Sequence, residues 1–327
     1  MATIKDVAKL AGLSVATVSR GINGSGYVSR ESQKKIDAAV KELNFTPNEV
    51  ARSLYQKKSK LIGLLLPDIS NPFFPLIAKG VEVYFSEKGY QVILGSVQEN
   101  LEKSKQYFQA FQQNNIAGIL SVVGSTSGLD VNCPIVFLDR VDDAVEYAVY
   151  SDDWQGGEIA AKEILKGNPQ MLVVIGVPDS LHQRAKKRQL SAESILKKIA
   201  QPYHVIVSKS YLLEDARATA KELFQKYPLV DSIIAASDVH AIAILQEAYQ
   251  RGYKVPDELQ IIGYDDIPTS ELVVPPLSTV HQPAYQIGYK GADMLYQLIG
   301  NKPIKQKKIV LPVHFKERET LRKKEIK

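Results

Sequence analysis

Residues 3–20 read TIKDVAKLAGLSVATVSR, and their spacing decides what the first part of the chain is. Thr3 with Asp6 three residues later has the form of a capping box, and Ile4, Val7, Ala8 and Ala11 then form one apolar stripe at helical spacing. Gly12 supplies a left-handed stop, and Ser14 can cap a second helix almost at once. Two short helices joined by a tight glycine-containing turn predict a helix-turn-helix. A third helix is expected to start at Val28-Ser29 and to turn Ile36, Ala39, Val40 and Leu43 inward. In the second helix Val18 and Ile22 are the expected core positions, which leaves Val15, Ala16, Ser19 and Arg20 outward. That face suits a major groove: Arg20 matches guanine O6 and N7, while Val15 and Ala16 offer apolar contact to a thymine methyl. The alternative is a three-helix bundle that only packs against the rest of the protein.

Charge favours the nucleic-acid reading. Residues 1–60 hold eleven Lys/Arg against five Asp/Glu, a net +6, in a chain of 327 residues whose total is +5, so the remainder nets −1. A basic head on a nearly neutral body points to a polyanion partner for the head. The length suits two or three domains. The single cysteine, Cys133, excludes an intrachain disulfide and suits a reducing cytosol. Lys5, Asp6 and Lys9 break any apolar stretch at the start, so no signal peptide is expected. The apolar run Leu61–Leu66 is too short to cross a bilayer. A soluble, cytoplasmic protein is expected.

Between head and body, residues 46–68 read TPNEVARSLYQKKSKLIGLLLPD. Asn48 can cap a short helix in which Val50, Ala51, Leu54 and Tyr55 recur at helical spacing, whereas LIGLLLP is a run of strand length. The basic QKKSK between them makes this an amphipathic connector rather than a Gly/Ser linker.

From Leu61 onward apolar strands alternate with amphipathic helices, which predicts an α/β architecture with parallel sheets. Strands are expected at LIGLLLP, QVILGSV, GILSVVG, PIVFLDR, MLVVIG, HVIVSKS, SIIAAS and LQIIGY, and helices near 74–89, 101–115, 154–166, 214–226 and 238–251. The halves beginning at Leu61 and near Met171 repeat this pattern, so two similar lobes are expected. The basic tail KERETLRKKEIK is expected to fray. Ligands of open α/β sheets bind beyond the carboxyl ends of the strands. There stand PDISNPFF, LDR, ASD and GYDD, with HQP at a late crossover. Carboxylates, an arginine, amides and two phenylalanines suit a sugar, whose hydroxyls take the polar groups and whose C–H face takes the rings.

An enzyme finds little support. No Gly-x-Gly-x-x-Gly follows a strand, and no phosphate-cradling Gly-Lys-Ser/Thr loop or Gly-x-Ser-x-Gly elbow occurs. The five histidines lack metal spacing, and nothing beside Asp265-Asp266 suggests a phosphorylated substrate held through Mg²⁺. No catalytic residue, metal or cofactor is expected.

TIKDVAKLAGLSVATVSR, NFTPNEVARSL and, later, IIGYDD and TVHQP resemble the LacI/GalR family of bacterial transcription regulators along essentially the whole chain. The resemblance implies a helix-turn-helix domain over 1–46, a hinge helix and linker over 47–60, and a two-lobed periplasmic-binding-protein-like domain over 61–327 for effector binding and dimerisation. Lobe 1 would take about 61–150 and 282–302, lobe 2 about 151–281 and 303–327. The residues it places at DNA are Thr3, Ser14, Val15, Ala16, Thr17, Ser19, Arg20, Tyr27, Asn48, Arg52, Ser53 and Leu54. The hinge segment Asn48–Tyr55 would order on the operator and drive Leu54 into the minor groove as a wedge. The alternative role for Leu54 is the core of a short connector.

In the lobes the resemblance implies effector contacts from Asn71, Phe73, Phe74, Asp139, Arg140, Arg188, Ser237, Asp265 and Gln282, with Trp154 covering the cleft. Three departures stand out. SRGIN replaces the usual SRVLN, and Gly21 is expected to weaken the recognition helix by about 1 kcal/mol relative to Ala. Ser237 stands where Asn is usual, and RQLSA follows where Arg-x-x-Gly-Phe is usual at Arg188. The implied partners are operator DNA, a second copy of the chain as homodimer, and a small saccharide, with ribose first and a disaccharide such as sucrose second. The alternative within the family is a global regulator that answers to a phosphorylated carrier protein.

Overall fold

The computed structural model describes residues 2–24, 26–45, 59–98, 100–123, 131–141, 144–178 and 183–323. The chain falls into two compact units, Met1–Ser59 and Lys60–Lys327.

The first unit is built from α1 (Ile4–Ala11), α2 (Val15–Asn23) and α3 (Arg30–Glu42). Thr3 and Asp6 form the reciprocal capping box, and Gly12 stops α1 at φ 64°. Ser14 and Ser29 accept hydrogen bonds from the backbone N–H groups of Thr17 and Ser32, which starts α2 and α3. Val7, Val18 and Ile36 close the core between the three helices, with Ala8, Ala11 and Ala39 beside them. Gly21 does not shorten α2, which runs on to Asn23 and ends on Gly24 at φ 59°. Gly21 lies where α2 meets α3: a Cβ there would come within 2.5 Å of the Ile36 Cδ1. Its helix-propensity cost is set against a close helix contact.

The second unit holds two six-stranded sheets. The first contains β1 (Leu61–Leu66), β2 (Gln91–Ser96), β3 (Gly118–Ser121), β4 (Ile135–Leu138), β5 (Ala148–Ser151) and β11 (Lys308–Leu311), in the order β11-β5-β4-β3-β1-β2. The second contains β6 (Leu172–Gly176), β7 (Tyr203–Val207), β8 (Ser232–Ile234), β9 (Gln260–Asp265), β10 (Thr279–His281) and β12 (His314–Lys316), in the order β12-β10-β9-β8-β6-β7. All pairs are parallel except β10 with β12. Helices cover both faces, so the strands read as continuous apolar runs such as LIGLLL and LVVIG, buried along nearly their whole length.

Lobe 1 carries α4 (Phe73–Glu87), α5 (Leu101–Gln113) and α10 (Ala284–Ile299). Lobe 2 carries α6 (Asp153–Leu165), α7 (Gln183–Lys198), α8 (Leu213–Lys226) and α9 (Asp238–Gln250). The chain crosses between lobes after Ser151, after His281 and after Leu311. The last crossing therefore lies near residue 312, not 302, because β11 adds to the first sheet beside β5 with Lys308 opposite Ala148. Two helices and four strands go beyond the sequence reading. Gln183–Lys198 has few apolar residues and buries the polar Gln189 and Ser191 beside Ala192 and Leu196, while Ala284–Ile299 carries two glycines and three tyrosines that blur its stripe. The strands β5, β10, β11 and β12 have three or four residues each, too short for a periodicity.

Helix packing positions the site. Gly157 of α6 lies against α7, where a Cβ would collide with the backbone carbonyl of Arg188. Its neighbour Gly156 leaves room for the Tyr264 ring, since a Cβ would collide with the phenol oxygen. The pair lets α7 sit close enough for Arg188 to reach the start of α6. Among the described residues no helix is long and apolar enough to cross a membrane.

Candidate functional site

In the first unit α2 presents Val15, Ala16 and Arg20 to solvent, and Tyr27 beyond it is 89% exposed. Ser14 and Thr17 are tied to each other by a 2.8 Å bond between their hydroxyls, at the N-terminus of α2. Ser19 is half-buried and accepts from Asn23 Nδ2 at 3.2 Å. Thr3 is exposed and donates its backbone N–H and its hydroxyl to Asp6. The buried Val18 fixes the roll of the helix and turns the outward set away from the core. Asn48, Arg52, Ser53 and Leu54 lie outside the described residues.

In the second unit the carboxyl ends of strands from both sheets meet in one pocket. It is lined by Asn71, Phe73, Phe74, Asp139 and Arg140 of lobe 1, by Asp153, Ala185, Arg188, Tyr211 and Asp265 of lobe 2, and by Gln282 on a crossover. Eight of the nine sequence-predicted residues thus come together. Ser237 does not. It is fully buried as the N-cap of α9, where its hydroxyl accepts from the His240 N–H and lies 2.9 Å from His240 Nδ1. Trp154 does not cover the cleft either: it is 46% exposed and its indole donates to Glu158 one turn along α6. Asp152 caps that helix by accepting from the Gln155 N–H, which leaves Asp153 to face inward.

Asp153, Ala185 and Tyr211 are the pocket residues that sequence reasoning missed. Asp153 is buried and accepts from Arg188 Nε at 2.6 Å. The Arg188 guanidinium stacks on the Tyr264 ring at 4.1 Å, and its Nη1 lies 3.6 Å from Asp265 Oδ1. Burial would lower the basicity of Arg188, but Asp153 together with Tyr264, Tyr211 and Asp265 more than offsets it and the guanidinium stays charged. Gln282 donates to Asp265 Oδ1 at 2.7 Å and in turn accepts from the Ser151 hydroxyl. Burial pushes the Asp265 carboxyl well above the usual carboxylate range, against the opposing pull of Arg188. Burial likewise pushes the Tyr211 phenol up to about 12, so it stays a neutral donor and acceptor.

Two carboxylates of the pocket sit on left-handed backbone, Asp139 at φ 57° and Asp265 at φ 116°. Such strain is held where a rigid surround fixes a side chain for a task. Asn71 accepts from the Phe73 N–H at 3.1 Å, a local turn that aims α4 and its two rings at the pocket. Phe73 and Phe74 pack edge to face at 5.5 Å. The Arg140 guanidinium lies between the Phe74 ring at 4.9 Å and the Tyr211 ring at 5.2 Å, one ring from each lobe. The inner pocket leaves about 20 Å³, and a chamber of about 410 Å³ adjoins it through the shared walls Asn71, Phe74, Arg140 and Tyr211. Fixed carboxylates, fork-shaped donors and ring faces in one cleft can orient a polyhydroxylated ligand. Among the described residues no group of His, Cys, Asp and Glu could hold a metal ion.

Comparison with known proteins bears on both units. Residues 3–48 match the family described as "Bacterial regulatory proteins, lacI family", and residues 170–321 match "Periplasmic binding protein-like domain". The chain is 46% identical to the ribose operon repressor of Bacillus subtilis (strain 168), over 99% of this chain and all of that one. It is 43% identical to the ribose operon repressor of Lactococcus lactis subsp. lactis (strain IL1403), over 99% of each. The crystal structure of the lac repressor dimer bound to operator and the anti-inducer ONPF superposes with a TM-score of 0.85 over 98% of each chain, at 23% identity, a likeness of fold alone. With full-length identity at this level, the chain belongs to the LacI family of bacterial regulatory proteins.

Proposed function

We propose that this protein is the repressor of a ribose-utilisation operon. It works in the cytoplasm as a homodimer, sets α2 of each copy into one half-site of a pseudo-palindromic operator, and has its operator affinity controlled by ribose held between the lobes. Val15, Ala16 and Arg20 read base edges, Thr3, Ser14, Thr17, Ser19 and Tyr27 meet the backbone, and the hinge residues Asn48, Arg52, Ser53 and Leu54 act at the operator centre. Asp139, Asp265, Arg140, Arg188, Asn71 and Gln282 take the sugar hydroxyls, while Phe73, Phe74 and Tyr211 cover its C–H faces. The observation that carries the reading is the convergence of these side chains from both lobes on one pocket. A ligand that bridges two lobes can favour one of their arrangements, and only a difference in affinity between arrangements can alter operator binding. The full-length likeness to two ribose operon repressors supports ribose over other sugars. A second reading, sucrose, is supported by the chamber of about 410 Å³ beside the inner pocket, which has room for a further ring.

The test is a panel of saccharides followed by thermal shift, with operator binding measured for each hit. Ribose is expected to raise the melting temperature, since a ligand at a hundred times its Kd adds about 2.7 kcal/mol of stability, and to change operator affinity. A response to sucrose alone would favour the second reading. Absence of any saccharide response, together with operator binding that depends on a phosphorylated carrier protein, would overturn both.

A further inference from the structure

The space around the inner pocket is unequal, and the inequality has chemical content. The inner pocket itself has about 20 Å³ to spare, room for roughly one water. A sugar held by its carboxylates and rings therefore cannot lie wholly within it, and the part beyond those contacts must occupy a neighbouring space. Behind Arg188 lies a chamber of about 20 Å³ walled largely by apolar residues such as Ala160, Val174 and Ile234, too small and too dry for a polar substituent. On the other side lies the chamber of about 410 Å³.

The walls of that larger chamber come from both lobes. Lobe 1 gives Asp68 and Gln98, and lobe 2 gives Ser210, Leu212 and Asp215, beyond the four residues shared with the inner pocket. Among the described residues Asp68 and Asp215 both line it, no lysine does, and the one cation, Arg140, has its guanidinium between two ring faces. Lys103 reaches this wall by donating to Gln98 Oε1 at 3.2 Å. Asp215 sits in the first turn of α8 together with Glu214. The positive end of a helix attracts anions, but here the helix's own carboxylates already answer it. Ser210 donates its hydroxyl to Asp215 at 2.5 Å rather than into the chamber. An uncharged polyol finds hydrogen-bond acceptors in this space. A phosphate dianion finds two carboxylates in a setting where solvent screens them less than at a free surface.

We propose that the outer chamber is the selectivity subsite of the effector cleft. It admits an uncharged saccharide, or an uncharged extension of one, and rejects the phosphate ester of the same sugar, with Asp68 and Asp215 as the specificity-determining residues. The inference rests on the inner pocket being the saccharide site. It means that the regulator reads the free sugar and not the product of a kinase acting on it.

Isothermal titration of the full chain with ribose and with ribose 5-phosphate tests this, and the readout is the ratio of the two affinities. The wild type is expected to prefer ribose by at least about tenfold, and Asp68→Asn combined with Asp215→Asn to lower that preference by about tenfold. Each single variant should lower it in part, which keeps the test decisive if the double variant folds poorly. Equal binding of the two ligands by the wild type overturns the proposal, as does a preference that all three variants leave unchanged. If another saccharide binds in place of ribose, the ribose reading fails, and the same ratio is measured for that sugar and its phosphate ester. If no saccharide binds, the selectivity subsite falls with the pocket it serves.

Discussion

At Asp265 three demands meet on one side chain. It is 5% exposed, it stands on backbone at φ 116°, and it holds Gln282 at 2.7 Å while facing Arg188 at 3.6 Å. Asp265→Asn keeps the size and the Oδ1 acceptor that serves Gln282 and faces Arg188, but it replaces the second carboxylate oxygen by an amide NH2. Ribose affinity is expected to fall by at least about tenfold, since a buried charged hydrogen bond is worth about 1.5–3 kcal/mol. Operator affinity in the absence of sugar should hold, and titration with ribose beside a gel shift checks both. Asp139 and Asp265 were legible in the sequence because each ends an apolar run, IVFLDR and IIGYDD, where ligands of such sheets bind. Ser237 ends the similar run SIIAAS, yet α9 starts directly after it and captures its hydroxyl as a cap. Asp153 was hidden beside Asp152, since a pair of carboxylates before a helix does not say which one caps. Tyr211 sits in an irregular turn after β7, outside any period that would mark its direction.

At the scale of elements, α9 and the α6–α7 contact carry the sharpest consequences. Ser237→Ala should cost about 1 kcal/mol of stability by removing the cap of α9 and leave ribose affinity unchanged, because the hydroxyl faces the helix and not the pocket. A large loss of affinity without loss of stability would return Ser237 to the site. Two residues of the same helix pull stability in opposite directions with pH. Burial pushes His240 down to about 4, so as pH falls from about 6.5 the unfolded chain takes a proton that the folded one refuses, and stability declines. Burial pushes Asp238 up to about 6, against hydrogen bonds from Ser270, Thr279 and Ile267, so stability declines as pH rises from about 4 to about 6. His240→Asn should therefore gain stability relative to the wild type as pH is lowered from 6.5 toward 4.5, read by urea unfolding at each pH. Gly157→Ala should cost about 1–3 kcal/mol or more and weaken ribose binding too, because the new methyl meets the carbonyl of Arg188 itself. Melting and titration of one preparation separate these effects. The long periodic helices and apolar strands were readable from the sequence, whereas α7, α10 and the four short strands are defined by what they pack against.

At the scale of the whole molecule, a head of net +6 and a body of net −1 separate DNA affinity from effector sensing along the chain. The helix-turn-helix was fully legible because caps, stripe and turn fall within 18 residues, and the two-lobed architecture was legible from alternation. The last crossover was not, since β11 gains its place only by pairing with β5. Operator affinity should fall steeply with salt as basic residues of the head release counterions. Leu54→Ala should lower operator affinity and DNA bending by removing a minor-groove wedge worth about 1–3 kcal/mol, while the free protein's melting temperature stays nearly unchanged. A core leucine would instead cost about 2–5 kcal/mol of folding stability with or without DNA. The central claim is that a sugar between the lobes governs what the head does on DNA. Its most direct test is the fluorescence anisotropy of a labelled operator titrated with the protein, with and without saturating ribose, for the wild type and Asp265→Asn. Ribose is expected to change the operator affinity of the wild type by about 5–150-fold, the usual range of coupling between two sites, and to leave that of the variant unmoved. An operator affinity that ignores ribose in the wild type, or that responds equally in both proteins, would contradict the account.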